Sequence, residues 1–331
     1  MNTPLIDPIA IERAAEVLRS GGIVALPTET VYGLAADADN EDAVRKLFAA
    51  KGRPADHPVI VHVGGTDAFD DWAKDVSDDA RALGRTFWPG PLTLVLKRAA
   101  RASDVVTGGQ DTVGLRAPVH PWARAVLHAF GGALAAPSAN SFGRVSPTTA
   151  QHVIDDLGIK PCGKIDLILD GGACPVGIES TIVDVSGAEP TLLRPGSITR
   201  EQLQRTLGRD VADAGAEAPR ASGRLEKHYS PRTPLSVISA DELVALLAAP
   251  ASQRLAVLAP LSLLENCRAK VALAIAAPDR ADEYARLLYS SLHRLDTSGA
   301  DRLVAAAPPT GPQWEAVNDR LRRAQADAAN G

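Results

Sequence analysis

The stretch Lys51-Gly52-Arg53-Pro54-Ala55-Asp56-His57-Pro58-Val59-Ile60-Val61-His62 carries the chain from a helix into a strand within twelve residues. Glycine after lysine is a common helix stop, and the two prolines that follow cannot continue one. The run 59–63 is short, apolar and rich in valine and isoleucine, which predicts a buried strand. Working upstream, Asn40 with Glu41 and Asp42 supplies an N-cap and an acidic first turn for a helix through Ala50. Before that, Asp7-Pro8 opens a helix whose apolar face is Ile11, Ala14, Ala15 and Leu18. Gly21-Gly22 ends it, and Ile23 to Leu26 reads as a buried strand.

Downstream, strands are expected at 92–97, 112–116, 133–136, 167–169 and 181–185, with helices near 122–130, 148–157 and 200–207. Several strand-to-strand steps leave no room for a helix. The expected fold is therefore α/β on a mixed rather than purely parallel sheet. Composition shifts at Gly208, and residues 209–223 show neither helical nor strand periodicity. Strands at 235–238, 255–258, 271–275 and 303–306 then alternate with helices from Asp241, Asp279 and Pro312, the pattern of a small, parallel, Rossmann-like α/β domain. The expected organisation is a catalytic domain over 1–208, a linker over 209–234 and a C-terminal domain over 235–331. No Gly-x-Gly-x-x-Gly follows the first strand of that last domain, so no dinucleotide is assigned to it.

The 331 residues carry a net charge of −5 and only 4% aromatic residues, which argues against a dedicated nucleic-acid binder. Cys162, Cys174 and Cys267 lie too far apart for a zinc or disulfide framework and read as three buried thiols. Asp7 and Glu12 interrupt the N-terminal stretch before any signal-like apolar core forms, and no run reaches the ~20 apolar residues of a membrane span. A cytoplasmic protein is expected.

Four segments are rich in groups that suit neither core nor turn. Pro27-Thr28-Glu29-Thr30-Val31-Tyr32-Gly33-Leu34 puts hydroxyls and a carboxylate at the end of a strand, where α/β folds hold ligands; a capped turn is the competing reading. Lys51 and Arg53 suit an anion, the guanidinium for its bidentate grip, although Lys51 also suits the helix dipole. Arg116 ends an apolar strand, so it needs an acid either from the protein or from a substrate carboxylate. Residues 136–148, Ala-Pro-Ser-Ala-Asn-Ser-Phe-Gly-Arg-Val-Ser-Pro-Thr, combine turn formers with Ser146 as an expected helix N-cap. There is no Walker lysine motif, His-Glu-x-x-His or Gly-x-Ser-x-Gly.

Taken in order, these segments resemble the signature of the YrdC-like threonylcarbamoyl-AMP synthase family. The likeness continues through Gly177-Ile178-Glu179-Ser180-Thr181-Ile182-Val183-Asp184, Leu193-Arg194-Pro195-Gly196 and His228-Tyr229-Ser230-Pro231, the last being the mark of the longer, two-domain members. The resemblance implies a twisted sheet around a concave basic cavity. It also implies a nucleotidyltransferase reaction in which L-threonine, bicarbonate (or CO2) and ATP give threonylcarbamoyl-AMP and pyrophosphate. That is the first step of threonylcarbamoyladenosine synthesis in tRNA. It implies that Thr30, His62, Arg116, Ser180 and the backbone at Ala136 hold threonine. Lys51 and Arg53 are the expected catalytic cations. With His57, Thr112, Ser138, Asn140, Ser146, Arg194 and Tyr229 they surround ATP, the linker closing over the nucleotide. Mg2+ is expected to accompany the triphosphate, and downstream threonylcarbamoyl-transfer proteins to take the product. At His57 the family's two-domain members commonly carry asparagine. The rival readings are weak RNA binding in the concavity, signalled by steep salt dependence, and a carbamoyl-transfer domain like that of hydrogenase maturation proteins.

Overall fold

The computed structural model describes residues 5–215, 217–223, 225, 227–249, 253–265 and 271–325. The chain forms two compact units, one of Met1–Phe142 with Ser146–Arg224, the other of Gly143–Val145 with Leu225–Gly331. The 209–234 stretch is thus divided between them.

The first unit holds β1 (Val24–Leu26), β2 (Gly33–Asp37), β3 (Ile60–His62), β4 (Leu92–Lys97), β5 (Thr112–Arg116), β6 (Leu134–Ala135), β7 (Leu167–Ile168), β8 (Thr181–Asp184), β9 (Thr191–Arg194) and β10 (Ala212–Asp213). They form one sheet in the order β10-β9-β8-β4-β5-β3-β6-β2-β1-β7. Parallel pairs such as β3 with β5 alternate with antiparallel ones such as β4 with β5 and β3 with β6, the mixed sheet that the short connections require. Its helices are α1 (Pro8–Arg19), α2 (Glu41–Lys51), α3 (Phe69–Trp72), α4 (Asp78–Phe87), α5 (Asp104–Thr107), α6 (Pro121–Phe130), α7 (Ala150–Asp156) and α8 (Arg200–Leu207).

Local chemistry sets the helix ends. Asp7 accepts the Ile9 amide at 2.9 Å to start α1, and Asn40 accepts that of Ala43 at 3.1 Å to start α2. Gly52 takes φ 65° to end α2, a left-handed conformation that a side chain would strain. One core gathers Tyr32, Leu34, Leu47, Phe48, Phe69 and Trp72; another gathers Leu18 of α1 with Trp122, Val126 and Leu127 of α6. Each such side chain contributes about 1.5–3 kcal/mol when fully removed from water.

Three expectations are corrected. α7 is capped by Thr149, whose hydroxyl accepts the His152 amide, and not by Ser146. Cys162 is exposed while Cys174 is buried, so the thiols are not all enclosed; Cys267 lies outside the described residues. The third strand of the second unit starts at Leu273 rather than Val271.

That second unit has β11 (Leu235–Ile238), β12 (Leu255–Pro260), β13 (Leu273–Ala277) and β14 (Arg302–Ala306), all parallel in the order β11-β14-β12-β13. With them run α9 (Ala240–Ala248), α10 (Leu261–Leu264), α11 (Ala281–Asp296) and α12 (Glu315–Ala324). Among the described residues no helix is long and apolar enough to cross a membrane.

Candidate active site

Strand register puts the first two functional side chains together. β3 and β5 are parallel with His62 opposite Arg116, so both leave the same face of the sheet. Both are buried. Burial first, and the Arg116 charge second, hold the His62 imidazole well below its usual range, so it stays neutral at physiological pH. The acid that Arg116 demands is Glu29: Nη2 donates to Oε1 at 2.6 Å, with both side chains at most 5% exposed. Glu29 Oε2 in turn accepts the Val119 amide at 3.1 Å.

The turn carrying Glu29 is itself tied down. Thr28 Oγ1 donates to the Val31 carbonyl at 2.6 Å and lies 2.8 Å from the Thr30 hydroxyl. With the Thr28 proton so committed, Thr30 donates to Thr28 and keeps its own oxygen free to accept. The Val176 and Gly177 amides donate to the Glu29 and Thr30 carbonyls, which brings the Gly177–Asp184 motif alongside. Ser180, fully buried, shares a 2.8 Å hydrogen bond with Thr93. The Ala136 amide donates to the Ile60 carbonyl, which fixes Ala136 two residues from His62 along the sheet. Thr30, His62, Arg116, Ala136 and Ser180 therefore belong to one connected cluster.

A second cluster forms where α2 ends. Lys51 is 3% exposed, and its ammonium donates to the Ser138 carbonyl, to the Asn140 carbonyl at 2.5 Å and to Asn140 Oδ1 at 3.5 Å. Ser138 and Asn140 thus meet Lys51 chiefly through backbone oxygens. Burial, and then the neighbouring Arg53, hold the Lys51 amine well below the usual lysine range. Arg53 donates to the Pro58 carbonyl at 2.6 Å and to Ser222 Oγ at 3.3 Å, its guanidinium lying 5.7 Å from the Phe142 ring. The His57 ring meets the edge of the same Phe142 ring at 5.3 Å, and burial followed by Arg53 lowers its pKa. Arg194 donates to the Ser180 carbonyl at 2.9 Å and to the Ser222 carbonyl at 2.9 Å, which joins the two clusters. Gly196 of the same motif is needed there: a Cβ would stand 2.4 Å from the Thr181 nitrogen. Ser146 Oγ donates to Glu179 at 2.6 Å.

Arg220–Ser222, from the segment read as linker, lies over this end. The Arg220 amide donates to Gln110 at 2.7 Å, and Ser222 Oγ to the Pro58 carbonyl at 3.1 Å. Beneath it, Thr112 lines a cavity of about 20 Å³ with Thr93, Gly114, Ile182 and Ser222, room for a single water. Tyr229 belongs to the other unit. There it is 1% exposed at φ 63°, its ring 5.3 Å from the Arg320 guanidinium and 5.6 Å from Tyr289.

Three further residues of the site carry chemistry legible in the sequence. Glu29, the carboxylate of the Pro27–Leu34 segment, answers the need of Arg116 for an acid. Glu179 answers Ser146, and Thr93 is a lone hydroxyl in an apolar strand. Ser222 had no local signal, because its partners are 28 and 169 residues away. The first unit buries four basic side chains, Lys51, Arg53, Arg116 and Arg194, against the carboxylates Glu29 and Glu179 among the described residues. A site with that imbalance is built to receive anions.

Known proteins of similar sequence and structure identify the family. A family model described as "Telomere recombination", covering Sua5, YciO and YrdC, matches residues 16–196; one described as "Threonylcarbamoyl-AMP synthase, C-terminal domain" matches 198–326. The threonylcarbamoyl-AMP synthase of Pyrococcus abyssi is 35% identical over 96% of this chain and 95% of its own length. That of Bacillus subtilis is 38% identical over 95% and 92% respectively. The crystal structure of P. abyssi Sua5 complexed with L-threonine superposes with a TM-score of 0.89, at 35% identity over 97% of this chain and 95% of that one.

Proposed function

The chain belongs to the threonylcarbamoyl-AMP synthase family in its two-domain form, and on that premise we propose that it joins L-threonine, bicarbonate (or CO2) and ATP into threonylcarbamoyl-AMP with release of pyrophosphate. The observation that supports this most is the buried excess of basic side chains over carboxylates, divided into two linked clusters. At one, Arg116 takes the threonine carboxylate, while Thr30, Ser180, neutral His62 and the Ala136 backbone surround the rest of the amino acid. At the other, Lys51, Arg53 and Arg194 face the phosphates, with Thr112, Ser138, Asn140, Ser146 and His57 around the nucleotide.

The free amine of threonine adds to CO2 and loses a proton, and a carbamate oxygen then attacks the α-phosphorus in line as pyrophosphate departs. Such a step asks the protein mainly for alignment and for charge placed where charge develops. Lys51 and Arg53 supply that charge. Arg194, bonded to Ser180 on one side and Ser222 on the other, holds the two substrate ends in register. Mg2+ would accompany ATP, held mostly by phosphate oxygens and water, and would offset the phosphate charge there. Ser146 and Glu179 are hard oxygen donors of the kind that ion accepts. The Arg220–Ser222 segment is read as the linker's cover over the nucleotide. The product passes to threonylcarbamoyl-transfer proteins acting on tRNA, in the cytoplasm.

The test is pyrophosphate release from ATP by the purified chain. Release should require both L-threonine and bicarbonate. Release that ignores either one, or steeply salt-dependent RNA binding without turnover, would overturn the reading.

A further inference from the structure

We propose that Glu29 is a positioning residue for Arg116, fixing the guanidinium so that its unpartnered Nε–H is presented to the α-carboxylate of the amino-acid substrate. This rests on the synthase reading above. Glu29 is held from three directions. Oε1 accepts Arg116 Nη2 at 2.6 Å, Oε2 accepts the Val119 amide at 3.1 Å, and its carbonyl accepts the Val176 amide at 2.8 Å. Its carboxylate is therefore a fixed point on which the Arg116 guanidinium docks.

Arg116 is only partly used by that contact. Its Nε is fully buried and has no hydrogen-bond partner among the described residues. A buried guanidinium N–H without an acceptor is costly, and it is completed by a water, an ion or a ligand. A carboxylate is the natural acceptor for the planar fork of an arginine. An ion pair serving stability alone would be expected to satisfy its own donors, because a buried pair repays its desolvation only when its remaining groups are bonded. His62, beside Arg116 and neutral, adds no charge that would compete for the substrate.

The test uses the full chain. L-Threonine is titrated calorimetrically without nucleotide, and steady-state pyrophosphate release is measured alongside. Glu29→Gln should raise the threonine Kd and KM by roughly tenfold to a hundredfold, the worth of one charge-assisted contact. The KM for ATP should stay within about twofold and kcat should change little. In an Arg116→Gln background the same substitution should shift threonine affinity by less than about twofold, since its effect runs through the arginine. Full additivity there would mark a general structural role and overturn the proposal. Glu29→Asp keeps the buried charge balanced but withdraws the carboxylate by one methylene; a loss of at least about threefold is expected. Wild-type threonine affinity in either Glu29 variant overturns this proposal alone. A wild-type chain that binds no L-threonine overturns the synthase reading and this proposal with it.

Discussion

Replacing Lys51 by methionine separates a phosphate-binding role from a structural one, because methionine fills nearly the same space without the charge. The ammonium makes two short contacts, to the Ser138 and Asn140 carbonyls, and a long one to Asn140 Oδ1. Losing two charge-assisted bonds costs about 3–6 kcal/mol. Against that, a buried ammonium carries an effective desolvation penalty of several kcal/mol, which the variant no longer meets. The lost interaction with the α2 dipole adds about 0.3–1 kcal/mol. These terms nearly cancel, so stability should change by no more than about 3 kcal/mol in either direction, a Tm shift within about 10 °C. Pyrophosphate release should behave differently. Removing one preorganised charge from a developing phosphoryl transition state lowers the rate roughly a hundredfold to a thousandfold. Thermal melting and the threonine- and bicarbonate-dependent release of pyrophosphate are measured on the same preparation. A folded Lys51→Met protein with near-wild-type release would refute the assignment. So would a melting loss well beyond 10 °C with activity per folded molecule intact.

His57→Asn should retain activity. The ring contacts Phe142 edge-on and has a lowered pKa, so it already behaves as a neutral donor that asparagine can replace; a collapse of ATP affinity in steady-state kinetics would contradict this. On the acid side, burial holds His62 well below the imidazole value of the unfolded chain. The unfolded state then binds the extra proton, so stability is retained above about pH 6.5 and falls as pH drops below it, by at most about 1.4 kcal/mol per pH unit for this group. Urea denaturation at several pH values should show a shallower acid limb for His62→Gln, and an unchanged limb would mean that His62 is not the titrating group.

Where sequence chemistry is local, it reads directly into structure. Asp7 and Asn40 start their helices as side-chain caps, and Gly52 ends one as a left-handed glycine. β2 is different: Gly33-Leu34-Ala35-Ala36-Asp37 has no β-branched or aromatic residue, and it is a strand because β1 and β6 pair with it on both sides. α4 is as local as α1 and α2, with Ser77 as an N-cap and Ala80, Leu83 and Gly84 on its buried face, and it is open to the same reading. β9, four residues long, is too short to show a strand period in sequence. At the site, the need of Arg116 for an acid follows from its place on an apolar strand. That the acid is Glu29 depends on a contact 87 residues distant, which only the folded sheet supplies. The Ser146 expectation failed for a related reason: a serine before proline suits a cap, but Glu179 offers its hydroxyl a charged acceptor and Thr149 takes the helix.

Ser222 has a further consequence. Its hydroxyl takes a hydrogen bond from Arg53 and its carbonyl one from Arg194, so one residue of the covering segment stands in for two anionic oxygens. Under the proposed function, a phosphate that takes those same guanidinium donors competes with internal bonds already made. Its apparent affinity would then be reduced by the fraction of molecules in which Ser222 holds them, so a substitution at Ser222 would alter nucleotide affinity without any contact to the nucleotide.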